Sequence, residues 1–267
     1  MKIRDLFFPP KCAACGTLLD VSMFAEPFCE HCMAKWEFSK KAAFDEYHGQ
    51  PTRVFTDCDC DKYGRAMFVL YYEPRQYSNV ESKLLFSIKD RGEERSVDFA
   101  ARELADMIRR NVPFLDNTRD NFVIVWVPRR IGAVREHGFD HMEKVAKRLS
   151  HYLSVPFERI IRRRPFAFEQ KHLSLKKRKR NANATMSLTK NASLENKTVI
   201  LIDDIVTTGA SLEAASSLLM HSGASQVITA VLCASRSAQK DTYRTKNGFN
   251  IIKNRKSEKR PDDFECR

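Results

Sequence analysis

No part of this 267-residue chain approaches the ~18 consecutive apolar residues that a membrane-spanning helix requires. Membrane insertion is therefore not expected. The N-terminus does not read as a secretory leader either. Met1-Lys2-Ile3-Arg4-Asp5 brings an acid early, and Pro9-Pro10 interrupts the apolar residues behind it, so the N-terminus predicts a soluble, cytoplasmic protein. There is no internal repeat, which sets aside solenoid and propeller architectures. Basic residues outnumber acidic ones heavily in two places. Residues 162–180, RRRPFAFEQKHLSLKKRKR, hold nine Lys or Arg against one Glu, and residues 236–267 hold ten basic residues against five acidic. The net charge of +12 is concentrated there, and the rest of the chain is close to neutral. Such concentration points to a polyanionic ligand, phosphates or nucleic acid; the alternative is a solvated loop and a solvated tail. The tail is polar and has no hydrophobic periodicity, so disorder is expected.

The length suits one substantial domain and a smaller one, and a hydrophobic content of 43% supports a packed core. Of eight cysteines, six precede residue 61, and four of these form two CxxC pairs. A disulfide framework would suit a secreted chain. Without a leader, the pattern suggests a metal site in a reducing compartment. Cys12-Ala13-Ala14-Cys15 and Cys29-Glu30-His31-Cys32 are separated by thirteen residues. Each pair can turn two thiolates toward one ion, and Gly16 permits the tight turn whose N–H groups point at sulfur. Four thiolates close a tetrahedral shell, which suits structural zinc; an iron–sulfur cluster is the rival. His31 reads as a surface residue, Cys58 and Cys60 as free thiols, and Cys233 as a core residue. A module this small cannot bury enough surface to fold alone, so the metal would be its core. Trp36, Phe38, Phe44 and Tyr47 come after it. Core packing is the commoner use of such residues, stacking on bases the other.

Beyond residue 60 the hydrophobic pattern becomes regular. Ala66–Tyr72 reads as a strand and residues 80–89 as a short helix. Residues 96–110 place Val97, Ala100, Ala101, Leu104 and Ile108 at helical spacing behind Ser96, which reads as a cap. Residues 122–127, FVIVWV, form a continuous apolar run ended by Pro128, a strand buried on both faces. Phe139, Met142, Ala146, Leu149 and Leu153 predict a helix after Gly138. Residues 155–161 predict a second core strand, and the basic stretch then shows no clear element before Thr198. A strand over 198–202, a helix over 211–221 stopped by Gly223, and a strand over 226–233 complete the series. This alternation predicts an α/β fold, a parallel sheet flanked by helices with ligands at the carboxyl ends of its strands. Two loops fall at that edge: Pro128-Arg129-Arg130 and Asp203 to Ser211. A structureless 162–197 connection suggests a lid or a disordered segment.

Residues 198–211 read TVILIDDIVTTGAS. Two carboxylates emerge from a buried strand and can accept hydrogen bonds from neighbouring sugar hydroxyls. Thr207, Thr208 and Ser211 offer hydroxyl donors, and Gly209 lets the backbone approach a ligand. The next helix presents free N–H groups to a phosphate. A diol binder with a phosphate cradle behind it fits a ribose 5-phosphate.

This run closely resembles the phosphoribosyl-diphosphate motif of type I phosphoribosyltransferases. The resemblance implies a core parallel sheet with a small hood and a flexible catalytic loop. It implies that Asp203 and Asp204 hold ribose hydroxyls, that Thr207, Thr208, Gly209, Ala210 and Ser211 hold the 5-phosphate, and that Pro128, Arg129 and Arg130 form the diphosphate loop. VWVPRRIGAVREHGFDHMEKVAKRL, with Gln170, Leu173, Arg178 and Asn181 beyond it and the four-cysteine N-terminus ahead of it, is similar to the ComF family. Members of that family are phosphoribosyltransferase-like proteins associated with natural competence. The likeness covers residues 1 to about 235 and divides the chain into a zinc-binding module (1–60), a phosphoribosyltransferase-like domain (61–235) and a basic tail (236–267). His137, Asp140 and His141 stand where that family commonly has Arg, Asn and Gln.

The implied chemistry displaces diphosphate at the anomeric carbon of ribose through an oxocarbenium-like transition state. Magnesium and nearby cations would stabilise the leaving group, with Arg129, Arg130 and Arg135 beside the loop and Arg178 closing over the site. For Arg178 a solvated loop charge is the alternative. Two function classes emerge. One is a phosphoribosyl-diphosphate-binding enzyme or enzyme-like protein with an unassigned acceptor. The other is a DNA-uptake component that binds single-stranded DNA or uptake proteins and keeps the sugar site as a sensor or scaffold.

Overall fold

The computed structural model describes residues 8–47, 66–73, 76–112, 114–163, 185–189 and 194–235. Arg178, Cys58, Cys60, residues 164–184 and the 236–267 tail lie outside the described residues. In chain order the elements are α1 (Glu30–Tyr47), β1 (Ala66–Tyr72), α2 (Val80–Phe86), α3 (Glu94–Asn111), β2 (Phe122–Trp126) and α4 (Ile131–His137). Then come α5 (His141–Leu153), β3 (Ile161–Arg163), β4 (Met186–Leu188), β5 (Thr198–Val206), α6 (Ala210–His221) and β6 (Gln226–Ser235). Among the described residues, no helix is long and apolar enough to cross a membrane.

The apolar runs assemble as their pattern dictates. β1, β6, β5 and β2 lie side by side in that order, each pair parallel. Every residue of β2 is buried, as are Val199 to Ile202 of β5, so the sheet centre is covered on both faces. Val97, Ala100, Ala101, Leu104 and Ile108 of α3 are all buried, and so are Met142, Ala146, Leu149 and Leu153 of α5. Each fully buried Leu or Ile of this kind contributes about 1.5–3 kcal/mol.

Four local expectations are corrected. Ser96 is not the cap of α3: Glu93 holds that position, and Ser96 lies fully buried one turn in, its hydroxyl shared with Ser87 (2.8 Å) and donated to Glu93 Oε2 (3.2 Å). The second core strand over 155–161 is reduced to one bridge, Ile124 to Phe157. Pro156 has no N–H to give, so only Glu158 N→Ile124 O (2.9 Å) and Ile124 N→Pro156 O (2.8 Å) form. Ile161 then turns away to pair antiparallel with Leu188, a strand the basic sequence concealed. The strand over 198–202 continues through both acids to Val206, because β6 goes on pairing with it on one side. Finally, α2 ends in a π turn, Ser87–Arg91, closed by Gly92 at φ +58°. A Cβ on Gly92 would lie 2.7 Å from the Phe139 ring, so this turn is seated directly on the α4–α5 corner.

The N-terminal segment packs on α3. Phe28 and Trp36 are fully buried and meet the Phe99 ring edge-on, at centroid distances of 5.6 and 5.2 Å. Arg102 donates to Glu26 (2.6 Å), and Lys40 donates to Glu103 (3.1 Å). Trp36 is thus a packing residue, whereas Phe38 and Phe44 stay exposed.

Candidate functional site

β5 is the strand that places the acids. β2 pairs with it only as far as Trp126 opposite Ile202, and a last bond runs from Val127 N to Ile202 O (3.0 Å). Pro128 then turns the chain toward α4. From Asp203 onward β5 keeps β6 alone as its partner, with Asp203 opposite Val231 and Val206 opposite Ala234. Asp203 and Asp204 therefore stand at the carboxyl edge of the sheet, on the side β2 has left. Successive strand residues point to opposite faces, and the two acids have different surroundings.

Asp204 is buried. Its Oδ2 accepts from Lys89 Nζ (2.9 Å) and bonds His141 Nε2 (2.5 Å). Burial would raise its pKa, but the Lys89 ammonium and His141 outweigh that and hold it well below the usual carboxylate range. The reverse balance holds for Lys89: burial pulls it down, the Asp204 charge outweighs it, and its pKa ends above that of an ordinary lysine. Asp203 is half-buried and accepts from the Asp204 amide (2.9 Å). Burial and the neighbouring Asp204 charge push its pKa well above that of an ordinary aspartate. One acid is fixed as a carboxylate by internal donors, while the other is poorly compensated and ready for an external donor.

Beyond the acids, Thr207 is exposed, Thr208 and Ser211 are half-buried, and Gly209 is buried at φ +72°, a left-handed conformation that favours glycine. Gly209 is the N-cap of the twelve-residue α6, and Ala210 is its first residue. Among the described residues, no hydrogen bond engages the amides of Thr208, Gly209, Ala210 or Ser211.

The Pro128-Arg129-Arg130 loop lies beside these residues, and its anchor is Asp140. One oxygen of Asp140 caps α5 by accepting from Met142 N (3.0 Å); the other accepts from Arg129 N (3.0 Å) and Trp126 Nε1 (3.2 Å). A carboxylate offers acceptors on both oxygens, whereas an amide offers one. Asp140 thus suits a purely accepting role where the resembling family has Asn. Arg129 turns inward: its guanidinium donates to the Lys89 carbonyl, lies 3.6 Å from Asp90 and covers the Phe139 ring at 5.7 Å. Arg130 and Arg135 are exposed. Arg163, at the base of the β3–β4 pair, donates to the Pro128 carbonyl (3.0 Å) and to Thr185 Oγ1 (3.0 Å).

Lys89 and His141 are not marked as site residues by any sequence motif, and Arg163 stands out only as one charge of the basic run 162–180. His141 is visible in the sequence only as a departure from a family amide. Lys89 lies far upstream, at the end of an unremarkable helix, and no local pattern marks it.

At the N-terminus, Cys12, Cys15, Cys29 and Cys32 converge. Four sulfurs bound tetrahedrally at ~2.3 Å from one ion sit about 3.8 Å apart. The Cys15 and Cys29 sulfurs are 3.7 Å apart, and all four lie within 4.8 Å of one another. Burial pushes the Cys32 and Cys29 thiols up. Burial acts on Cys15 too, but hydrogen bonding with Thr17 outweighs it and brings Cys15 down to about 6. The all-thiol donor set and its spacing fit zinc, with no open position for catalysis. His31 is exposed and stands outside the cluster. Cys233 is fully buried.

A parallel α/β sheet with a ligand-type loop at the carboxyl end of a central strand defines the class of the larger domain. Residues 99–267 match the phosphoribosyl transferase domain, and the chain belongs to that family. Over 92 residues it is 29% identical to Competence protein F of Haemophilus influenzae, covering 34% of this chain. It spans only 40% of that relative's length. Similar solved structures include a purine phosphoribosyltransferase from Pyrococcus horikoshii: 22% identity, 53% of this chain, 75% of the other, TM-score 0.33. Another is the Trypanosoma cruzi hypoxanthine phosphoribosyl transferase: 16% identity, 54% of this chain, 68% of the other, TM-score 0.37.

Proposed function

We propose that this protein binds phosphoribosyl diphosphate together with magnesium and serves natural competence, with its acceptor unassigned. The observation that carries this reading is the loop from Asp203 to Ser211. Its acids stand at the sheet edge, and its amides from Thr208 to Ser211 have no acceptor among the described residues. On this reading Asp203 and the remaining oxygen of Asp204 accept the ribose hydroxyls. Thr207, Thr208, Gly209, Ala210 and Ser211 hold the 5-phosphate at the positive end of α6. Pro128 and Arg129 shape the diphosphate side, and the exposed Arg130 and Arg135 supply its positive charge. Arg178, outside the described residues, completes the set expected from the resemblance.

Magnesium prefers oxygen ligands and commonly shares them with substrate phosphates. Among the described residues, only the four cysteines gather three or more metal-ligand groups. On this reading the ion enters with the diphosphate and takes its oxygens chiefly from it.

The test is thermal unfolding with and without magnesium and phosphoribosyl diphosphate. Ligand at a hundred times its Kd stabilises by about 2.7 kcal/mol, a shift of several degrees. An unchanged melting temperature at millimolar ligand, with no heat in titration calorimetry, would refute the reading.

A second reading, direct binding of single-stranded DNA, is supported by the basic run 162–180 and by similarity to a relative named for competence. Fluorescence anisotropy with a labelled oligonucleotide tests it. Affinity should fall steeply with salt and survive Asp203→Ala with Asp204→Ala. No binding at low salt would remove this reading and leave the first intact.

A further inference from the structure

We infer that Lys89 is a positioning residue that joins the two halves of the ligand site, its carbonyl holding the diphosphate loop and its ammonium holding the sugar loop. The inference rests on the ligand reading proposed above. Lys89 belongs to neither loop. It sits in the π turn Ser87–Arg91, a geometry that recurs at functional sites. Its carbonyl accepts the Arg129 guanidinium, and its Nζ donates to Asp204 Oδ2 at 2.9 Å. One residue thus touches both loops, through backbone on one side and side chain on the other.

The turn that carries Lys89 has little slack. Gly92 closes it in the left-handed region against the Phe139 ring, and Lys144 donates to the Gly92 carbonyl (3.2 Å). Arg129 is held at its other end by Asp90 and Phe139, and its amide is held by Asp140. Asp204 is held at the same oxygen, Oδ2, by His141 as well. A shift of Arg129 is therefore passed through the Lys89 peptide to its ammonium and on to Asp204. An ordinary internal ion pair would stabilise Asp204 without connecting it to the other loop. The shared residue predicts thermodynamic coupling between a magnesium diphosphate bound beside Pro128–Arg130 and a pentose 5-phosphate bound at Asp203–Ser211. Such coupling is reciprocal.

The two half-ligands make this measurable in the full-length, zinc-loaded protein. Calorimetry of ribose 5-phosphate is run without and with saturating magnesium diphosphate. In the unmodified protein diphosphate should change the ribose 5-phosphate affinity by about fivefold or more. In Lys89→Met the change should fall below about twofold while each half-ligand still binds. His141→Gln, which alters an Asp204 partner but not the bridge, should weaken ribose 5-phosphate and keep the coupling. Lys89→Gln, a milder change that retains a donor, replaces Lys89→Met if the latter does not fold, and should show reduced coupling. Equal coupling in the unmodified and Lys89-substituted proteins would overturn the inference, as would absence of coupling when both half-ligands bind the unmodified protein. If neither binds, the ligand reading fails on its own, and the bridge is read by hydrogen exchange in the ligand-free protein. The Lys89 variant should then speed exchange at both 129–131 and 203–211; acceleration confined to one loop overturns the bridge.

Discussion

A strong chelator is expected to loosen the loops that carry Cys12, Cys15, Cys29 and Cys32 and to shift Trp36 fluorescence to the red. The cysteines alone would not hold this segment together, because burial penalises the thiolates and four like charges repel. A divalent ion reverses both terms, and structural zinc contributes about 10–16 kcal/mol of apparent binding energy in isolated zinc fingers at neutral pH. Here part of the segment has a second support. Phe28 and Trp36 pack on Phe99, and Arg102 and Lys40 pair across the same surface. Chelation should therefore loosen the loops around the cysteines most and α1 less, while the parallel sheet keeps its far-ultraviolet signal. Metal analysis should return about one zinc per chain, with no visible absorption of the kind an iron–sulfur cluster gives. Cys32→Ser should mimic chelation, since Cys32 is both a candidate ligand and buried. If strong chelators leave Trp36 emission and the melting temperature unchanged, the sulfurs do not hold a structural metal.

Strands β1 and β2 and helices α3 and α5 are legible in the sequence because each is governed by burial of a local periodic pattern. The paired acids are legible because two charges at the end of a buried strand need an explanation. The features that escape such a reading are non-local. Pro156 removes a donor at the sheet edge, so an apolar segment that looks like a strand makes only one bridge. The Asp203-Asp204 pair reads as a strand end, yet β6 supplies pairing through Val206. Ser96 reads as a cap, but a Glu three residues earlier takes that position, and the serine joins a buried network with Ser87. Above all, the partners that fix Asp204 come from a helix end at Lys89 and a helix start at His141. Their meeting depends on the π turn and on the packing of α5, neither of which leaves a mark in local composition.

Replacing the two acids one at a time should separate ligand binding from stability. Asp204→Ala removes the shared acceptor of the half-buried Lys89 ammonium and the buried His141. Breaking a buried pair in this way costs about 3–5 kcal/mol, or about 10 °C in melting temperature for a domain of this size. Affinity for phosphoribosyl diphosphate should collapse with it. Asp203→Asn should behave differently. The folded protein holds the Asp203 proton more tightly than the unfolded chain does, because burial and the Asp204 charge oppose ionisation. Near neutral pH the Asp203 carboxylate therefore costs stability, and an amide of the same shape should raise the melting temperature of the ligand-free protein. It should still weaken ligand binding, since an amide offers one acceptor oxygen where a carboxylate offers two. The pH dependence gives the opposite signs directly. The contribution of Asp204, whose pKa is depressed, is complete above the unfolded aspartate value of about 3.9 and is lost as pH falls below it. The contribution of Asp203, whose pKa is raised, is greatest below that value and is lost as pH rises through its folded value. Thermal unfolding of both variants across pH 3–8 checks this, and the gain from Asp203→Asn should grow as pH rises. A loss of stability in Asp203→Asn at neutral pH would mean that its carboxylate is held by the protein itself, and Asp203 would then not be the acid left open to a sugar hydroxyl.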